Sequence, residues 1–270
     1  MLKDITIGQY LPGASVAHRM DPRVKLVLTI AYVALLFTAR NAWALGISAA
    51  MLFFLYPLSR VPGRMILKSL KPVVPIILFT AILNMMFHDG LVLFQLWIIK
   101  ITDKGVIMAV FMVVRIICLI AGTSLLTYTT SPISLTNGME QLFAPLNKIG
   151  VPVHEISMMM TIALRFIPTL IEETDKIMSA QKARGADLES GGLIQRIHAL
   201  TPILIPLFVS AFTRAIELAL AMECRCYNGG KGRTHLHRLR LSMPDLYGAV
   251  FAILFAACVI CANIVFPGLL

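Results

Sequence analysis

The chain has 270 residues, 58% of them hydrophobic and 14% charged, with a mean hydropathy of +0.81. So few polar side chains cannot cover a soluble domain of this size, which excludes an ordinary water-soluble fold and points to a membrane protein. The formal net charge of +10 reads mostly as a topology signal and not as a nucleic-acid footprint.

No secretory signal is evident at the start. Lys3 and Asp4 are followed by mixed sequence with Pro12-Gly13 and Asp21-Pro22, not by an apolar core and a small-residue cleavage site, so the first apolar helix is expected to stay as an anchor. Asp21 suits an N-cap and Pro22 the first helical position, which predicts a helix from residue 22. The apolar region 24–57 is long enough for two short helices turning at Arg40-Asn41. Ser59-Arg60-Val61-Pro62-Gly63-Arg64 marks a turn. Arg60, Arg64, Lys68 and Lys71 then recur at roughly helical spacing, as in a segment lying along lipid headgroups.

Region 72–87 is apolar but short for about 30 Å of hydrocarbon. It ends at His88-Asp89-Gly90, and 91–99 reads as an extended or re-entrant piece. Asp103 and Gly105 open the next span, 105–126, interrupted only by Arg115, and the last span, 246–266, carries no charge. An arginine inside a span is costly in lipid and turns to protein, water or the membrane edge. Arg115 therefore reads either as an intramembrane contact with a partner or substrate path, or as a side chain reaching out of a tilted helix.

Twenty of the 24 lysines and arginines fall in 1–25, 58–71 and 131–244; the others are Arg40, Lys100, Lys104 and Arg115. The basic-rich side is cytosolic by the positive-inside rule, and anionic headgroups favour the same placement. Between 131 and 244 charges recur, prolines stand at 132, 145, 152, 168, 202 and 206, and apolar residues take helical spacing. A loop of that length without structure would be unusual, so the region reads as a helical module in the cytosol or at the membrane edge. One arm, 154–184, is apolar before Pro168 and charged after it (Glu172, Glu173, Asp175, Lys176, Lys182), with a kink expected at the proline. The second arm, 202–225, carries Ser210, Thr213, Arg214 and Glu217 on one face.

Both arms run into an arginine and stop: Ala183-Arg184-Gly185 and Cys224-Arg225-Cys226, with the arginines 41 positions apart. Arginine in the last turn and glycine just beyond it are ordinary helix-stop chemistry. Two such ends in one module suggest docking, since guanidinium offers five fixed donors to carboxylates and carbonyls in a partner's groove. Other chemistry is absent. Asn228-Gly-Gly-Lys-Gly-Arg-Thr234 does not match a phosphate loop and follows no strand. His235-Leu-His237 lacks a third metal ligand nearby. Cys258-Val-Ile-Cys261 falls in the last span, where small packing residues are expected. No acid, base or nucleophile cluster suggests an enzyme, and neither a metal site nor a cofactor is expected.

The chain resembles, nearly end to end, the T component of energy-coupling factor (ECF) transporters, the CbiQ/EcfT family of prokaryotic vitamin and metal importers. The resemblance is carried by Gly8-Gln9-Tyr10, the His-Arg-x-Asp-Pro-Arg-x-Lys core from His18 to Lys25, Arg165-Phe-Ile-Pro168, and Ala180-Gln-Lys-Ala-Arg-Gly185. It continues in Pro206-Leu-Phe-Val-Ser-Ala211, Ala221-Met-Glu-Cys-Arg-Cys-Tyr227 and the run from Gly229 to Thr234.

The resemblance implies a non-enzymatic subunit in a multi-pass plasma membrane complex, its N-terminus and coupling module in the cytosol. It implies ATPase-docking motifs at Ala183, Arg184, Gly185 and at Cys224, Arg225, Cys226. The implied partners are two ABC-type ATPase subunits and a substrate-binding membrane S component, with lipids around them and no nucleic acid. Substrate recognition resides in the S component. The second motif departs from Ala-Arg-Gly at both flanks; cysteine is small, yet a left-handed residue 226 is less free than glycine would be, and a break at Asn228-Gly229 is the alternative. The expected fold is an all-α membrane protein: about four transmembrane helices in 1–130, long amphipathic coupling helices in 131–244, and the last of about five spans in 245–270. A stand-alone permease or membrane enzyme is the competing expectation. A permease would need polar residues along several spans, and Arg115, Asn84 and a few hydroxyls are the candidates.

Overall fold

The computed structural model describes residues 10–87, 92–96, 99–186, 192–230 and 241–266, with the backbone alone at 92–96, 99–101 and 193–199. Gly8, Gln9, residues 231–234 of the glycine-rich run, and His235 and His237 lie outside the described residues.

A short helix α1 (Val16–Arg19) leads into α2 (Pro22–Thr38). Asp21 caps α2 as its position implies, its Oδ1 accepting the Arg23 backbone N–H at 2.9 Å, a contact worth about 1 kcal/mol. After a turn at 39–41 comes α3 (Ala42–Ser59), which stops at Arg60 in the left-handed region, φ 55°. Next, α4 (Gly63–Leu70) passes through a 3-10 turn (Lys71–Val73) into α5 (Val74–Phe87). Together they give 25 residues, Gly63–Phe87, so the region that looked short gains its length from the basic segment before it. The piece expected to be extended is an antiparallel ribbon of β1 (Val92–Leu96) and β2 (Ile99–Thr102), irregular between Val92 and Phe94. Then follow α6 (Asp103–Thr129), capped by the Thr102 hydroxyl, α7 (Pro132–Phe143), a 3-10 segment (Ala144–Ile149), α8 (Val153–Ala183), α9 (Leu193–Cys224) and α10 (Met243–Val265).

Five described stretches are long and apolar enough to cross a membrane: α3, α4 with α5, α6, Leu200–Cys224 within α9, and α10. The number matches expectation, but the membership differs. The 17 residues of α2 reach only about 26 Å. The second arm qualifies by its length and apolar content, and its helix begins at Leu193 instead of Pro202.

The chain forms two compact units, Gly8–Gly138 with Arg238–Leu270, and Met139–His237. In the first, α6 is central, with α2, α3, α4 and α5 against it and α10 laid on α2 and α3. Its core gathers Tyr32, Leu36, Leu52, Tyr56, Tyr128 and Val259. The buried tyrosines satisfy their hydroxyls on backbone, as Tyr56 does on the Ala121 carbonyl at 2.9 Å. Gly122 lets α6 approach α2 closely, because a Cβ there would collide with the Tyr32 ring.

Polar ties close both ends of this unit. At one end the buried Lys25 ammonium donates to the Thr129 carbonyl (2.9 Å) and the Thr130 hydroxyl (3.2 Å) at the end of α6, where the helix dipole favours a cation. The Asp21 N–H donates to Asp245 Oδ1 at 2.7 Å, and Asp245 Oδ2 accepts the Ser242 N–H (2.7 Å) and hydroxyl (2.8 Å) at the start of α10. The Asp-Pro-Arg-x-Lys motif thus fastens the ends of three helices. At the other end Asn263 and Asn41 bind the 38–41 turn to α10: Asn263 Nδ2 donates to the Thr38 carbonyl at 3.0 Å, and Asn41 Nδ2 to that of Ala262 at 3.0 Å.

Candidate functional site

The Met139–His237 unit is built on α8 and α9, which pack on each other. The 31 residues of α8 make about 46 Å of helix, continuous through Pro168. Glu173 of α8 faces Ser210 and Arg214 of α9. The Ser210 hydroxyl donates to Glu173 Oε1 at 2.5 Å and Arg214 Nη2 to Oε2 at 2.8 Å. Further along α8, Gln181 Nε2 donates to the Pro202 carbonyl at 3.5 Å. Contacts that advance along α8 retreat along α9, so the two helices run antiparallel, and their C-terminal ends point opposite ways. Counting rise from the Gln181–Pro202 contact puts the two ends roughly 35 Å apart.

The Glu173 carboxyl is held below its ordinary range, first by the Ser210 hydroxyl and then by the Arg214 charge, which together outweigh desolvation. The stripe of Ser210 and Arg214 was visible in the sequence; its counterpart was not. Glu173 was one of several acids after Pro168, and spacing along one helix does not report which residue of another faces it. The base of the pair is tied as well: His154 Nδ1 lies 2.7 Å from Glu140 Oε1, and the Gly230 N–H donates to Glu155 Oε1 at 3.3 Å.

Each arm ends in the same backbone figure. At the first, the Gly185 N–H donates to the Lys182 carbonyl (3.0 Å) and the Ala186 N–H to that of Gln181 (3.0 Å), with Gly185 at φ 85°. At the second, the Cys226 N–H donates to the Glu223 carbonyl (2.8 Å) and the Tyr227 N–H to that of Met222 (3.0 Å), with Cys226 at φ 56°. These are paired Schellman caps. The break therefore falls at Cys226 and not at Asn228-Gly229. The hydrogen bonds of the helix end impose the left-handed turn even on a residue carrying a Cβ.

Ala183, Arg184 and Gly185 are exposed, as are Cys224, Arg225 and Cys226. Neither guanidinium has a hydrogen-bond partner among the described residues. Among the described residues each tip thus presents an unpaired cation at a helix end, flanked by small side chains. The two motifs are kept apart, not brought together into one site.

Arg115 belongs to the other unit. Its Nη2 donates to the Ala39 carbonyl at 2.5 Å, closing the end of α2, and its guanidinium lies 4.7 Å from the centre of the Phe111 ring. That geometry matches an arginine reaching from mid-helix to the turn at 39–41. Cys258 and Cys261 are exposed on α10, so they do not fill the chain's own core as their small size suggested. Among the described residues, no three His, Cys, Asp or Glu side chains gather as a metal site would require.

Comparison with known proteins gives a consistent set of matches. The family model described as CbiQ, cobalt transport protein, matches residues 13–236. The chain is 50% identical over 266 residues to an energy-coupling factor transporter transmembrane protein, EcfT, of Clostridium kluyveri, covering 98% of both. It is 50% identical over 245 residues to the protein of that name in Thermosediminibacter oceani (91% of this chain, 92% of the relative). The corresponding figures for Bacillus subtilis are 46% over 258 residues, covering 95% and 97%.

Proposed function

The chain belongs to the CbiQ family of transport proteins, with the EcfT transmembrane proteins among its relatives, and on that footing we propose that its two arginine tips are the ATPase-docking ends of a coupling subunit. In this reading the chain is a non-catalytic, multi-pass component of an ECF transporter in a prokaryotic cell membrane, with its N-terminus and the 131–244 module cytosolic. Residues 1–130 and 245–270 form the membrane scaffold. ATP binding and hydrolysis occur in two partner ATPases. Their closure moves Ala183-Arg184-Gly185 and Cys224-Arg225-Cys226, and the arms pass that motion to a membrane subunit that binds a vitamin or another micronutrient.

The observation that carries this reading is the pair of exposed, identically capped arginines at opposite ends of one braced helix pair. Two tips on one stiff unit convert a change in the separation of two partners into movement of the whole pair. Arg115 is assigned a scaffold role, fastening α6 to the end of α2. A permease acting alone gains no support from the tips, which have no use without cytosolic partners.

The test is the Arg184→Glu, Arg225→Glu double variant. Membrane insertion should persist, because both residues lie outside the described apolar stretches. Co-purification of the ATPases and ATP-driven uptake should both fall to background. Intact assembly and uptake in that variant would overturn the docking role.

A further inference from the structure

The membrane unit contains a cavity of about 580 Å³ between α1, α2, α3, α6 and α10, within the ordinary size of a small-ligand site. Its wall is almost wholly apolar, with Leu28, Leu55, Leu125 and Phe251 prominent. It lies where α2 and α10 begin and where α3 and α6 end. Phe54, Leu58 and Tyr247 of its lining are 68%, 54% and 71% exposed, so the cavity opens to the outside of the unit and is not a sealed void.

The charge around that end is one-sided. Arg19 is exposed on α1 beside the lining residues Ala17 and Met20. Arg60 is exposed two positions beyond Leu58, and Arg64 follows one turn later, also exposed. The described acids at this end, Asp21 and Asp245, are buried, with Asp21 paired to Arg23 and Asp245 holding the Ser242 N–H and hydroxyl. Neither is free to pair with these arginines. Lys25 lines the wall, but its ammonium is already taken by Thr129 and Thr130.

A greasy slot with exposed arginines close in sequence to its lining, and no described acid free to pair with them, fits an amphipathic anion in a protein surrounded by lipid. Water-soluble anions would leave the slot unfilled, and a neutral lipid would leave the arginines unpaired. We propose that this cavity holds an acyl chain of an anionic phospholipid, its phosphate bound at the rim by Arg19, Arg60 and Arg64. Basic pockets between transmembrane helices on the cytosolic side are a recurrent headgroup site, and guanidinium matches phosphate in a two-pronged fashion. The proposal is independent of ATPase docking.

The full chain, reconstituted in vesicles of phosphatidylcholine with and without phosphatidylglycerol, is extracted and its retained lipid measured by native mass spectrometry. Phosphatidylglycerol should be retained selectively. Arg19→Gln, Arg60→Gln and Arg64→Gln should each weaken retention on the order of fivefold. Leu55→Trp, which fills the slot and leaves the charge unchanged, should also lower it. Equal retention of the two lipids, or undiminished retention in both the rim and slot variants, would overturn the site. So would retention of neither lipid, with a Leu55→Cys thiol shielded only after assembly with the other subunits, since that outcome assigns the cavity to a protein. The wild-type lipid comparison decides the matter even if a variant does not fold. The Arg184→Glu, Arg225→Glu chain should keep its phosphatidylglycerol, which separates this result from the docking test.

Discussion

At Cys226 the backbone holds φ at 56°, a region where a Cβ crowds the following carbonyl and glycine does not. The same corner of the first arm is Gly185 at φ 85°. Both make the same two hydrogen bonds back to the helix end, so their difference is local strain and not architecture. Cys226→Gly should therefore leave stability unchanged or raise it by about 1 kcal/mol, the relief of strain being partly offset by a freer unfolded chain. Gly185→Val should lower it by more than that, since a β-branched residue is a severe misfit at positive φ. Thermal unfolding of the solubilised chain, followed by circular dichroism, reads both. A loss is expected for Gly185→Val alone, and a clear loss on Cys226→Gly would mean that the thiol itself makes a contact. Sequence reading located both arginines but left the second break between two places. Residue preference favours glycine at the turn, whereas the actual stop is set by where the helix carbonyls find their last donors.

A small polar cluster joins the charged half of α8 to the largely apolar α9. Glu173 takes a hydroxyl from Ser210 and a guanidinium from Arg214, and its carboxyl is held below its ordinary value of 4.5. A depressed carboxylate contributes stability that is present above the unfolded value and lost as pH falls through the folded one. Glu173→Gln should therefore lower the unfolding temperature of the solubilised chain near neutral pH. The gap from wild type should close once the pH drops below about 4.5 and then further through the folded value. A gap that persists unchanged at the lowest pH would mean that the variant disturbs packing and not the charge. High salt should narrow the gap at neutral pH, because the Arg214 side chain is 37% exposed and the pair is open to screening. The faces of these helices were legible from spacings of three and four. Their mutual register was not, because spacing along one helix does not report which residue of another faces it, and the helix expected to open at Pro202 begins at Leu193.

Composition and apolar run lengths pointed to the membrane class and to about five apolar stretches of crossing length, as many as are found among the described residues. They did not show that α2 falls short of a crossing length that the Leu200–Cys224 stretch of α9 reaches, since both are apolar. The polar ties at the ends of the membrane unit were equally hidden: Lys25, Thr129 and Asp245 are far apart in the chain and meet only in the fold. What the sequence did display is the asymmetry of the tips, Ala-Arg-Gly against Cys-Arg-Cys. With the backbone equal at both, that asymmetry resides in the flanking side chains alone. By helix rise the tips stand roughly 35 Å apart, more than the width of a small domain, and under the proposed docking each meets a different body. If the two ATPases are not identical, Arg184→Glu should strip one of them from the purified complex and leave the other largely in place. Arg225→Glu should do the reverse. Quantifying each ATPase separately on the affinity-purified membrane subunit reads the result. Equal loss of both from either single variant would mean that the ATPases bind as one preassembled pair, with the difference between the tips playing no part in choosing between them.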